Sequence, residues 1–180
     1  RIMERQNTVW VVVEIPKGSR NKYEIDHQTG NILLDRVLYS SVHYPADYGF
    51  VPDTHAADGD PLDVLIITEE PTFPGCRVEV RVIGLLRMRD EKGVDEKLLA
   101  VPVADPRSEG IRDLSDVNRH LLVEIKNFFE TYKELEGGKT THVEDWCGAS
   151  EAWDVLLRYA TKHMDGGTQL SHRHDADQSD

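Results

Sequence analysis

The chain has 180 residues and is acidic, with 21 Lys and Arg against 33 Asp and Glu and a formal net charge of −12. This charge argues against sequence-independent binding of nucleic acid, which needs a basic surface. No segment approaches the roughly 20 apolar residues of a transmembrane helix, and residues 1–8 do not resemble a signal peptide. Cys76 and Cys147 lack metal-ligand spacing, so we interpret them as reduced core thiols. We therefore expect a cytoplasmic protein with neither a nucleic-acid nor a membrane partner.

Short strands are predicted along the first half of the chain, because β-branched and apolar residues alternate with turn residues. The predicted segments are residues 9–15, 23–26, 32–35, 64–68, 78–82 and 98–103. The second and third flank a glycine-containing loop and predict a hairpin. The first is apolar throughout except for Glu14. An acid that closes a buried strand either lies at the rim of the sheet or has a partner.

Helical periodicity begins only after Asp116, where apolar residues recur at helix spacing as far as Tyr132. A second helix is expected from Glu151 to about His163, with Ser150 as its N-cap. The polar residues that follow predict a disordered tail over 166–180.

Many strands followed by two helices predict an α+β architecture, a small closed barrel with the helices packed outside it. We find no internal repeat and no domain boundary, so residues 1–165 are expected to form one domain.

The most informative motif is Asp-Gly-Asp-Pro-Leu-Asp at residues 58–63, which carries Asp58, Asp60 and Asp63. Carboxylates this close repel one another, and Lys and Arg are absent from residues 37–76. A hard divalent cation such as Mg²⁺ is the simplest counter-charge, because it prefers oxygen ligands. A solvated acidic turn is the alternative interpretation.

Further polar clusters share this chemistry: Lys22 and Glu24, Arg36, Tyr44 and Tyr48, residues 90–97, and Tyr132 and Lys133. Each also has an ordinary structural explanation as a surface pair, a core tyrosine or a solvated loop. Together, however, they offer carboxylates for cations and Lys, Arg and Tyr donors for oxyanions. That combination is typical of metal-assisted phosphoryl transfer.

The same motifs, in the same order and spacing, resemble those of the family I soluble inorganic pyrophosphatases of the prokaryotic type. They lie at residues 14–18, 22–24, 44–49, 58–64, 90–97 and 132–133. The resemblance covers about residues 9–163 and implies an OB-type five-stranded β-barrel with two flanking C-terminal helices. It also implies an inorganic diphosphatase, a cytoplasmic homohexamer that hydrolyses pyrophosphate to two orthophosphates with several Mg²⁺ per active site. Mn²⁺ or Zn²⁺ are possible substitutes, since oxygen ligands accept several metals.

The resemblance further implies a role for each matching residue. A metal-activated hydroxide would attack the substrate, and Asp60 would be the general base that takes the proton of the attacking water. The implied metal ligands are Asp58, Asp63, Asp90, Asp95, Glu14 and Glu91. The implied substrate contacts are Lys22, Arg36, Tyr48, Lys97, Tyr132 and Lys133, with Glu24 and Tyr44 behind the ligands or touching metal-bound water.

Some residues depart from this pattern or stay without a role. Lys92 adds a cation to the acidic loop, where it could reach the substrate or compete with metal. His27 at the tip of the predicted hairpin could modulate the site, although exposed hairpin histidines are usually inert. His172 and His174 in the tail could bind metal adventitiously.

Two other functions fit parts of the sequence. A broader phosphohydrolase acting on nucleoside triphosphates or polyphosphates would use the same chemistry, but we find no Walker-type motif. An OB-type barrel could instead be a non-catalytic module for oligonucleotides, against which the charge of −12 counts.

Overall fold

Strands dominate the computed structural model, which describes residues 2–3 and 6–160 of the chain. The strands are β1 (Ile2–Met3), β2 (Thr8–Ile15), β3 (Asn21–Ile25), β4 (Ile32–Val37), β5 (Asp47–Phe50), β6 (Asp63–Ile66), β7 (Arg77–Asp90), β8 (Gly93–Pro102) and β9 (Thr141–Gly148). The α-helices are α1 (Arg119–Thr131) and α2 (Ala149–Tyr159). The predicted tail, residues 166–180, lies outside the described residues.

Five of these strands close into a ring, in the order β2, β5, β6, β8 and β7, and β7 pairs back with β2. All the pairs are antiparallel except β6 with β8. β1 and β9 extend the sheet at its edges, and β3 with β4 forms a separate two-stranded sheet. The predicted α+β architecture, an OB-type five-stranded β-barrel with two helices, is confirmed, and its five strands form a ring-like sheet.

The wall of the ring is buried on both sides, which explains why its central strands read as unbroken apolar runs. Val64 and Ile66 face one apolar cluster, together with Trp153 and Leu156 of α2. Leu65 between them faces a second cluster, which α1 covers. Successive side chains of a strand point to opposite faces, so one run supplies both cores.

The second helix begins two residues earlier than predicted, at Ala149 instead of Glu151, and ends at Tyr159, before the predicted end near His163. Gly148 is the N-cap, Ser150 lies within the helix, and Ala160 is already extended. The prediction of Ser150 as the cap was wrong because the free amide of Ala149 is bonded by a distant side chain. Asp113 Oδ1 accepts it at 2.9 Å.

Three strands were missed: the short edge strand β1, β5 and β9. Residues 47–50 were not among the predicted strands, but β5 is a fully buried strand of the ring. Its acid, Asp47, accepts hydrogen bonds from Lys17 N, Thr72 N and the Thr72 hydroxyl, partners that no local pattern reveals. β9 was missed because its residues are mixed in polarity, as expected for an edge strand.

Cys76 and Cys147 are free but partly exposed, so the expectation of core thiols was wrong. Within the described part of the chain, neither α-helix has the length and apolar character needed to cross a bilayer.

Candidate active site

One cleft of about 270 Å³ gathers polar side chains from almost every part of the fold. It is bordered by the end of β2, the β3–β4 hairpin, the start of β6, the β7–β8 hairpin and the residues after α1. Among the predicted site residues, those on its wall are Glu14, Lys22, Glu24, Arg36, Tyr48, Asp58, Asp60, Asp63, Asp90, Glu91, Asp95, Lys97, Tyr132 and Lys133. Motifs spread over 120 residues of sequence therefore meet at one place.

Tyr44 is the predicted site residue that does not line this cleft. Its side chain is 1% exposed and packs against the rings of Tyr48 and Phe128. Burial raises the pKa of its hydroxyl well above the ordinary value. Tyr44 thus lies behind Tyr48 in the aromatic core.

Glu14 reaches the cleft through an irregularity in β2. Val13 pairs with Gly49 and Ile15 with Tyr48, so Glu14 is an extra residue at a β-bulge. A bulge bends the strand and redirects a side chain that regular pairing would have fixed. Glu14 Oε2 accepts the backbone N–H of Ile25 at 2.8 Å. Burial raises its pKa to about 7, despite that hydrogen bond, with further contributions from the charges of Asp63 and Glu24.

Lys97 is a buried cation in the cleft wall, and only 2% of it is exposed. Its Nζ donates to the Tyr48 hydroxyl at 2.7 Å, to Asp63 Oδ2 at 3.0 Å and to Asp95 Oδ1 at 3.1 Å. Burial alone would lower its pKa, but the two carboxylates and Tyr48 outweigh burial and hold it well above the ordinary value. Lys97 therefore partly neutralises two of the predicted metal ligands.

The Asp58–Asp60 turn is the most exposed part of the site. Gly59 adopts φ +85°, a left-handed conformation that glycine tolerates best. Asp58 Oδ1 accepts the backbone N–H of Asp60 at 3.0 Å. The pKa of Asp58 is raised by partial burial and by the charges of Asp60, Asp63 and Asp95. These carboxylates thus repel one another, as their spacing in the sequence predicts.

The β3–β4 hairpin presents cations to the cleft. Lys22 pairs with Arg36 across the two strands, and Asp35 is the extra residue at the bulge beside them. Asp35 Oδ2 lies 2.9 Å from Lys22 Nζ and 3.5 Å from Arg36. These two cations and Lys139 lower the pKa of Asp35, although burial alone would raise it. Two like charges are held side by side because one carboxylate lies between them.

The residues after α1 supply the opposite wall. Lys133 Nζ lies 3.6 Å from both Asp90 Oδ2 and Glu91 Oε1 on the β7–β8 hairpin. Glu91 has a lowered pKa, since its backbone hydrogen bonds and the Lys133 charge outweigh burial. Tyr132 stacks on Phe128 and is 6% exposed. It belongs to both the aromatic core and the cleft wall.

Sequence reasoning missed Lys139 and Glu136. Lys139 lines the cleft, and Glu136, which is 5% exposed, lies 2.9 Å from Arg36 Nε and 3.1 Å from Lys139 Nζ. Nothing in the local sequence signals this cluster, because it depends on the turn after α1 folding back on β4. His27 and Lys92 also line the cleft, and the His27 ring meets the Phe50 ring edge to face at 5.0 Å.

The chemistry of the donor set suits a hard cation. Eight carboxylates and six cationic side chains line the cleft. In the part of the chain that the structure describes, no three acidic, histidine or cysteine side chains lie close enough to enclose one ion. The carboxylates of Asp63 and Asp95 instead turn to Lys97. Oxygen ligands of this kind fit Mg²⁺, which keeps several waters beside one or two carboxylates.

The ring of strands carries a cleft lined by both carboxylates and cationic side chains. This combination is typical of a class of proteins that bind metal cations together with an oxyanion. A family model described as inorganic pyrophosphatase matches residues 11–163. An inorganic pyrophosphatase from Streptomyces coelicolor is 54% identical over 157 residues, which is 87% of this chain and 96% of that protein. The crystal structure of the Thermus thermophilus inorganic pyrophosphatase has a TM-score of 0.83 and 47% identity, over 86% of this chain and 90% of that one.

The Helicobacter pylori enzyme gives a TM-score of 0.85 at 42% identity, over 88% and 95% of the two chains. The chain therefore belongs to the inorganic pyrophosphatase family and is an enzyme, which confirms the resemblance drawn from its motifs.

Proposed function

We propose that the protein hydrolyses inorganic pyrophosphate to two orthophosphates with Mg²⁺, and that Asp60 is the general base. The convergence of the predicted residues on one cleft carries this proposal. The names of the relatives support the substrate, and the acidic, oxygen-rich wall supports the metal.

The metal ligands would be Asp58, Asp63, Asp90, Asp95, Glu14 and Glu91. A Mg²⁺ ion held by these residues would neutralise phosphate charge and lower the pKa of a bound water molecule. Mn²⁺ and Zn²⁺ are possible substitutes.

The chain's own cations would bind the substrate. Arg36 can hold a phosphate through two parallel hydrogen bonds, whereas Lys22 and Lys133 act as point charges. Lys97, Tyr48 and Tyr132 would donate from the floor of the cleft, and Glu24 would contact the ligands from behind. The Asp60 carboxylate would accept a proton from the attacking water. These donors favour the transition state because they are already fixed before charge develops on the leaving phosphate.

The general-base assignment is tested with Asp60→Asn and a matched control. Asn cannot accept a proton, so phosphate release from pyrophosphate should fall by about 10²-fold or more, the range of a lost general base. Asp53→Asn changes an exposed aspartate of the same loop that does not line the cleft, and it should leave the rate unchanged. Equal rates in Asp60→Asn and the wild type, with the fold retained, would remove Asp60 from this role.

Assembly, location and domain organisation are also proposed for this chain. A homohexamer is proposed, and the exposed apolar residues Ile32, Leu33, Leu34 and Val37 of β4 support self-association. We also propose a cytoplasmic location, a single domain over residues 1–165, and no nucleic-acid or membrane partner.

A further inference from the structure

The loop between β5 and β6, residues 51–62, carries Asp58 and Asp60 and is closed at its base by one hydroxyl group. Thr54 Oγ1 donates to Val51 O at 2.6 Å and accepts the backbone N–H of Leu62 at 2.8 Å. Val51 N donates directly to Leu62 O at 2.9 Å. The two residues that begin and end the loop are therefore joined twice.

The Thr54 hydroxyl replaces one bond of a strand ladder. In a regular antiparallel pair, two opposite residues exchange both N–H···O bonds. Here one bond between Val51 and Leu62 is direct, and the return bond passes through the Thr54 oxygen. Thr54 is 2% exposed, Val51 1% and Leu62 0%. Because the three residues are buried, water has little access to replace the hydroxyl.

Further bonds extend this closure towards the carboxylates. His55 N donates to Tyr159 O at the end of α2, which fixes the residue after Thr54 to a helix. Ala56 N donates to Asp60 O at 2.8 Å, and Gly59 N donates to Ala56 O at 2.9 Å. The turn that carries Asp58 and Asp60 is thus built directly on a base that Thr54 holds shut.

We propose that Thr54 is a positioning residue, which holds Asp58 and Asp60 where a divalent cation can use both without itself touching the ion. This inference rests on the proposed function, because it assigns these carboxylates to the metal. Without the hydroxyl, Val51 O and Leu62 N–H are buried without partners, which favours an open loop. The apparent metal affinity then falls in proportion to the fraction of molecules whose loop is closed.

The test is Mn²⁺ binding measured by calorimetry on the substrate-free, full-length protein. Thr54→Val removes the hydroxyl at nearly constant side-chain shape. If the loop is then closed in about a tenth of the molecules, the Mn²⁺ Kd should rise about tenfold. Thr54→Ser keeps the hydroxyl and should bind like the wild type. Thr72→Val is the matched control, because the Thr72 hydroxyl also bonds a buried acceptor, Asp47 Oδ2, at 2.6 Å. Should Thr54→Val not fold, Thr54→Ala carries the same expectation.

A kinetic readout separates positioning from general damage. Activity lost in Thr54→Val should return as the Mg²⁺ concentration is raised, with the KM for pyrophosphate unchanged at saturating metal. A Thr54→Val Kd equal to that of the wild type, or an equal loss in Thr54→Ser or Thr72→Val, would overturn the inference. Calorimetry uses no pyrophosphate, so a protein that binds Mn²⁺ but releases no phosphate refutes the proposed function alone. A wild type that binds no Mn²⁺ refutes both.

Discussion

At the residue scale, the charged side chains of the cleft are only partly neutralised by ion pairs within the chain. Lys97 stands between Asp63 and Asp95, and Lys133 stands between Asp90 and Glu91. Glu14 has no cation within ion-pairing distance among the described residues, and burial raises its pKa. Its protonation should therefore be visible in the stability of the metal-free protein.

The stability prediction for Glu14 follows from its pKa of about 7, against an ordinary value of 4.5. Between these values the folded protein keeps a proton that the unfolded chain has lost, so the free energy of unfolding falls as pH rises through this range. Glu14→Gln does not ionise, and its amide oxygen can still accept the Ile25 N–H. In EDTA the variant should gain stability over the wild type between pH 5 and pH 8, up to about 3 kcal/mol.

Urea denaturation at the two pH values measures this difference. Glu130→Gln, on the exposed side of α1, is the control and should show no such gain. A Glu14→Gln difference that does not change with pH would contradict the raised pKa.

At the element scale, β2 and β5 lie so close together at Gly49 that they leave no room for a side chain there. A Cβ atom at residue 49 would lie 1.9 Å from Val12 O and 2.9 Å from Val13 Cα. These are backbone atoms of the neighbouring strand, so no side-chain rotation can relieve the contact. The same stretch carries the Glu14 bulge and Tyr48, which places two site residues beside this close contact.

Gly49→Ala should accordingly destabilise the protein by about 3 kcal/mol or more, the upper range for overpacking. It should also lower activity, because Tyr48 and Glu14 move with the strands. Gly110→Ala is the control, since no atom lies within 4 Å of its added Cβ. Urea denaturation of both variants measures the difference, and equal stability would show that the strands can separate without cost.

The sequence predicts those parts of the fold that local patterns determine. It does not predict those parts whose conformation depends on partners that are distant in the chain. Residues 58–63 reveal their chemistry because the repulsion of three carboxylates is local. β5 could not be predicted, since the burial of Asp47 depends on Lys17 and Thr72. Lys139 and Glu136 were missed for the same reason, because they join the cleft only through the fold of the turn after α1.

At the scale of the whole molecule, a net charge of −12 and a cleft with eight carboxylates favour the uptake of cations. Among the described residues, six cationic side chains line the same cleft and can bind a highly charged anion. The fold brings five separate segments to one cleft, three from the ring and two from outside it. The proposed substrate, pyrophosphate with Mg²⁺, would neutralise both sets of charges at once, which neither a nucleic acid nor a metal alone would do.

The most direct test of this account is phosphate release from pyrophosphate by the purified protein, with Mg²⁺ and with EDTA, beside ATP as a competing substrate. We expect rapid release from pyrophosphate that requires Mg²⁺ and ceases in EDTA, with ATP turned over far more slowly. Equal turnover of ATP would favour a broader phosphohydrolase. No release from folded protein with Mg²⁺, Mn²⁺ or Zn²⁺ would contradict the account.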